Sequence, residues 1–124
     1  MKVMESYEIT QAVDEATHRI ETPTRITGHN RVLGPYEAAL FAARTTYHLA
    51  SLPLKTGTVA GASEEILRGM ASTADTTAVN LRKMIYALRL PGDDTLDFFN
   101  DLDCEASYYA LILAKEAGVI PVHG

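Results

Sequence analysis

Residues 63–90 read SEEILRGMASTADTTAVNLRKMIYALRL, and residues 91–118 continue PGDDTLDFFNDLDCEASYYALILAKEAG. In the first stretch Leu67, Ala74, Leu81 and Leu88 recur every seven residues, with Met70, Ala71, Ala78 and Ile85 beside them. That is the seam of a helix that needs a partner helix. In the second, Phe99, Leu102, Ala106, Tyr109 and Leu113 follow the same rule. The spacing predicts helices over 63–90 and 94–117, joined at Leu90-Pro91-Gly92 and paired as a long antiparallel hairpin. Ser63 can cap the first, and Glu64 and Glu65 favour its positive end. Gly118 is a stop signal for the second. At 1.5 Å per residue the first helix would be about 40 Å long, weakened at Gly69 by about 1 kcal/mol relative to alanine.

Upstream, Gly34-Pro35 opens another helix with proline at its first position, expected over 35–52 and ended by Pro53. Tyr36, Leu40, Ala43, Tyr47 and Ala50 lie on one stripe, whose alanines let a neighbouring helix approach closely. Residues 53–62, with Gly57 and Gly61, form a connection without the pattern of a phosphate loop. The spacing of Ile9, Val13, Ala16 and Ile20 predicts a short amphipathic helix over 7–20, stopped at Thr22-Pro23. Residues 22–34 are a basic, glycine-bearing loop, and 119–124 an apolar extended tail. The expected fold is therefore all-α, with four helices in one domain spanning residues 1–124.

A chain of 124 residues, 47% hydrophobic and 22% charged, can bury one core without staples. No apolar run approaches the roughly 18 residues of a spanning helix. The start, Met1-Lys2-Val3-Met4-Glu5, lacks a signal-peptide core, so a cytoplasmic location is expected. Cys104, the single cysteine, leaves no partner for an internal disulfide and no multi-cysteine zinc site. His18, His29, His48 and His123 are not spaced as ligands. No GxSxG sequence accompanies a nucleophile. Neither a cofactor nor a metal ion is expected.

The formal net charge is −5, which disfavours nonspecific nucleic-acid binding. Its distribution is more telling. Residues 93–105 hold six acids and no base, and Asp94, Asp97, Asp101 and Glu105 share one helix face over three turns. Residues 19–48 hold Arg19, Arg25, Arg31 and Arg44 against Glu21 and Glu37. Two binding surfaces follow. The acidic face suits a basic protein surface. Arg25, His29 and Arg31, just ahead of a helix N-terminus, suit a small anion such as a nucleotide phosphate. A helix pair about 40 Å long exceeds the radius of a compact domain of this size, so a homo-oligomer is expected, with Leu67, Ala74, Leu81 and Leu88 as its seam.

Two short resemblances bear on catalysis. Asp93-Asp94-Thr95-Leu96-Asp97 resembles the DDxxD motif with which isoprenoid synthases hold magnesium diphosphate, although Tyr108 stands where the closing glutamate of their second motif would be. Glu64-Glu65-Ile66-Leu67-Arg68 with Asp94-Thr95-Leu96-Asp97 resembles the magnesium site of all-α nucleotide pyrophosphohydrolases of the MazG type, but Arg68 replaces a glutamate. In the expected hairpin those two elements sit at opposite ends, so only an antiparallel dimer could join them. Neither resemblance spans the chain. The leading expectation is a non-enzymatic interaction or regulatory protein, of the immunity, anti-defence or adaptor type, presenting the acidic face. The alternatives are an oligomer that sequesters a nucleotide-like anion at the arginine loop, and a metal-dependent pyrophosphohydrolase.

Overall fold

A computed structural model describes residues 34–59, 61–88 and 95–116, together with Gln11, which is helical and exposed. The described residues form three helices and no strand: α1 Pro35–Thr56, α2 Ala62–Leu88 and α3 Thr95–Glu116. The helix expected over 7–20 otherwise lies outside the described residues, as do the loop over 22–34, except Gly34, and the tail over 119–124.

The first helix starts as its sequence dictates. Pro35 follows Gly34, whose carbonyl accepts the Ala38 N–H at 2.9 Å. It ends later than expected, for Pro53 lies inside the helix and Thr56 closes it. A proline so near the end removes one hydrogen bond, and its own carbonyl still accepts from Gly57 and Thr58. The left-handed backbone of Gly57, φ 69°, makes the stop that a side-chain-bearing residue would resist. Only a short connection then leads to α2. That helix begins at Ala62, so Ser63 falls within its first turn instead of capping it.

The main correction concerns which helices pair. The expected hairpin of the last two helices is not the organising contact. The helix over 35–56 packs along both others, while α2 and α3 scarcely approach each other at backbone distance. Two layers of core define the directions. Leu40, Phe41 and Ala43 meet Ala78 and Ile85 of α2, and Phe98, Phe99, Leu102 and Ala106 of α3. Leu49 and Ala50 meet Leu67 and Ala71, and Ala110, Leu113 and Ala114. Hence α2 runs antiparallel to α1, and α3 runs parallel to it.

The physical reason lies in α1. Its buried residues, Leu40, Phe41, Ala43, Thr45, Leu49, Ala50, Ser51 and Pro53, surround the helix instead of forming one stripe. Burial on all sides marks a central helix. Thr45 can be fully buried because its hydroxyl donates to the Phe41 carbonyl one turn back, at 2.8 Å. Small side chains at Ala43 and Ala50 allow close approach.

On α2 the buried positions are Leu67, Ala71, Ala74, Ala78 and Ile85. Of the seam expected between subunits, Leu67 and Ala74 therefore pack inside the chain. Leu81 sits at the edge of the core, and Leu88 is 68% exposed.

Phe98 is fully buried in the layer shared by all three helices. Phe98→Ala should lower unfolding stability by about 3–5 kcal/mol, measured by denaturant titration. Leu96→Ala, two residues away on the exposed side, should stay within about 0.5 kcal/mol of the parent. Equal effects would place α3 differently from the packing described.

Candidate functional site

The densest polar cluster among the described side chains joins the three helices. Arg44 and His48 lie one turn apart on α1. Asp103 faces them from α3, and Asp75 from α2. Arg44 Nε donates to Asp103 Oδ1 at 2.6 Å, and Arg44 Nη1 donates to Asp75 Oδ1 at 3.2 Å. His48 Nε2 lies 3.3 Å from the same Asp103 oxygen. The Arg44 guanidinium also stands over the Tyr47 ring, 4.8 Å from its centre. Arg44 is only 11% exposed, so a charge in this position needs its partners.

Burial lowers the pKa of His48 below its ordinary 6.5, outweighing Asp103, whose hydrogen bond and charge act upward; Arg44 and Lys55 add to the lowering. At neutral pH the ring is then uncharged, and it donates to Asp103 in the tautomer that carries its proton on Nε2. For Asp103, burial acts to raise the pKa. The hydrogen bond and charge of Arg44, followed by those of His48, overcome it and hold the carboxyl below its ordinary value of 3.8. One carboxylate oxygen thus serves a guanidinium and an imidazole together. The arrangement orients His48 and locks α3 to α1, and through Asp75 it reaches α2.

None of these four residues stood out in the sequence as a site. A signal was present in Arg44 and His48, polar residues at helical spacing among Ala43, Thr45, Leu49 and Ala50. Asp103 was hidden within a run of acids.

The acidic residues expected on one face are placed as follows. Asp94 lies outside the described residues. Asp97 is exposed near the start of α3, while Asp101 and Glu105 are half-buried on the same side, each engaged with other groups of the chain. Arg25, His29 and Arg31 lie outside the described residues. Glu64 pairs with Arg68 at 2.8 Å along α2. Glu64 and Asp97 open helices that run in opposite directions, so the elements of the pyrophosphohydrolase-like pattern stand at opposite ends of the chain's core. Among the described residues no group of three or more histidine, cysteine, aspartate or glutamate side chains is placed to hold a metal ion. No helix among them is long and apolar enough to cross a membrane.

No protein-family profile matches the chain, no curated protein matches it, and no solved structure matches it.

The depressed pKa values make stability pH-dependent. Unfolded His48 takes up a proton near pH 6.5, whereas the folded ring resists it, so its contribution is lost as pH falls through and below that value. Asp103 adds a second loss as pH falls from 3.8 toward its lower folded value. Relative to the parent, His48→Gln should show a flatter fall in denaturation midpoint between about pH 7 and pH 5. A parallel pair of curves would remove His48 from the cluster's titration.

The two aspartates should separate cleanly in their effects. Asp103→Asn weakens two hydrogen bonds to a mostly buried Arg44 and to His48, and should destabilise by about 1–2 kcal/mol after discounting for its partial exposure. Asp75 is 52% exposed, and Asp75→Asn should change stability by less than about 0.5 kcal/mol. Urea unfolding at neutral pH measures both.

Proposed function

We propose that the protein is a non-enzymatic interaction or regulatory protein, of the immunity, anti-defence or adaptor kind, that offers the outer face of α3 to a basic protein surface. The carrying observation is the composition of that face. From residue 95 to residue 114 there is no lysine, arginine or histidine. Asp97, Asp101, Glu105 and Tyr108 follow one another at helical spacing on the flank beside the stripe by which Phe98, Phe99, Leu102 and Ala106 enter the core, so that Asp97 and Tyr108 are exposed and Asp101 and Glu105 half-buried. Tyr108 is 64% exposed, a large amphipathic ring amid carboxylates, and such residues anchor protein interfaces. Asp97 and Tyr108 are the side chains a partner reaches first.

The inner side of the same helix explains why this face can be presented in a fixed orientation. Asp103 points the other way and is held by Arg44 and His48, so the helix is tied in rotation as well as position.

The test is affinity capture with the parent and with an Asp97→Lys, Tyr108→Ala double variant, followed by titration of the isolated partner at increasing salt. The partner should have a basic contact surface, bind more weakly as salt rises, and lose at least tenfold in affinity for the variant, whose melting temperature should match the parent's. Equal binding by both proteins would overturn the reading. So would a magnesium-dependent rise in the melting temperature of the parent that the variant lacks, which would make the face a metal site.

A further inference from the structure

We propose that α2 carries a self-complementary outer face on which a second copy of this chain docks, antiparallel, about a two-fold axis at Thr77. The face lies beside the inner stripe, on the flank away from Asp75 and Arg82, which look toward α3's Asp103 (through Arg44) and toward Phe99. Its residues are Ile66, Met70, Thr73, Thr77, Leu81, Met84 and Leu88. Ile66 is 50% exposed, Met84 45% and Leu88 68%, although each could have been a polar residue at no loss to the chain's own core. Met70 and Leu81 bridge the face to that core, where they pack at its edge.

The order of spacings, with the absence of charge on the face, suits a second copy as the occupant. From Ile66 to Leu88 they run four, three, four, four, three and four, the same in both directions. In an isologous interface each residue that meets a given neighbour is met in return by that neighbour's copy. An antiparallel pairing centred on Thr77 sets Ile66 against Leu88, Met70 against Met84, and Thr73 against Leu81, each twice. Heptad-like spacing keeps those contacts aligned over about 33 Å of helix.

Charge and size agree. All the charged residues of α2, namely Glu64, Glu65, Arg68, Asp75, Arg82 and Lys83, project on other sides, so two copies meet without repulsion or a desolvated ion. Thr77, at the axis, already donates its hydroxyl to the Thr73 carbonyl at 2.9 Å, which leaves no unmet donor when it is covered. Gly69 borders the face and has open space where a side chain would begin. Among the described residues nothing calls for a glycine inside this helix, whereas a close helix neighbour would.

Sedimentation or light scattering over a concentration series tests the pairing first. The expected mass is twice the 13.5 kDa of the chain, falling to that of one chain for Ile66→Lys and for Leu88→Glu, both at exposed positions where circular dichroism should show an intact fold. Because the two positions face each other across the axis, the double variant Ile66→Lys, Leu88→Glu should recover at least tenfold of the lost dimer affinity. Thr77→Cys in a Cys104→Ser background supplies a second, register-specific readout. Helix axes about 8–10 Å apart with Cα radii of about 2.3 Å bring the two Cα atoms within disulfide range, so mild oxidation should link the copies, and the same change at the exposed Ser72 should not. A monomeric parent overturns the proposal. So does a dimer indifferent to Ile66→Lys and Leu88→Glu, or one whose double variant is no better than the singles.

Discussion

Burial on every side of α1 is the constraint from which the rest of the structure follows. A helix with Leu40, Phe41, Leu49 and Ala50 all enclosed cannot lie on the surface of a two-helix unit. It must be flanked twice, and α2 and α3 each supply one apolar stripe to do it. The polar atoms caught in the middle are then disposed of locally. Thr45 bonds to its own turn, and Arg44 and His48 reach Asp103 of α3. Were Arg44 left without Asp103, a mostly buried charge would keep only the half-exposed Asp75 as its partner, and exchanging the cluster for apolar side chains of similar size would be gentler than breaking it.

This arrangement divides labour between the two flanking helices. On α3, Asp103 secures the helix to α1, while Asp97 and Tyr108 face solvent. On α2, the inner stripe of Leu67, Ala71, Ala74, Ala78 and Ile85 serves α1, and a second, neighbouring stripe is left over. Two adjacent apolar stripes on one helix explain why the residues recurring every seven positions gave a mixed account of what lies inside. Leu67 and Ala74 belong to one stripe, Leu88 to the other, and Leu81 stands on the line between them.

Much of the secondary structure was legible, because it is set locally. Proline at a first helical position, glycine after a last one and apolar residues at intervals of three and four are all signals that a single helix carries. The partner of each helix was less legible. Periodicity says that Leu102 and Ala106 must be covered, and is silent on whether α2 or α1 covers them. The decisive clues on α1 were disguised, since Thr45 and Ser51 read as polar although both are buried, and the alanines read as neutral. The ionic cluster was less legible still. Its members come from sequence positions far apart; periodicity sets Asp103 off the face that Asp101 shares, and is silent on which residues of α1 and α2 it would meet.

The parallel course of α1 and α3 has a kinetic consequence. A short connection lets α1 and α2 close on each other with little loss of chain entropy, whereas α3 finds its groove only after the chain has travelled the length of α2 and returned. The first event is expected to leave one side of α1, including Phe41 and the Arg44 guanidinium, open to water. Docking of α3 then completes the core and satisfies the charge in one step. Native-state hydrogen exchange should therefore release the amides of α3 in a partial opening, while those of α1 and α2 wait for global unfolding.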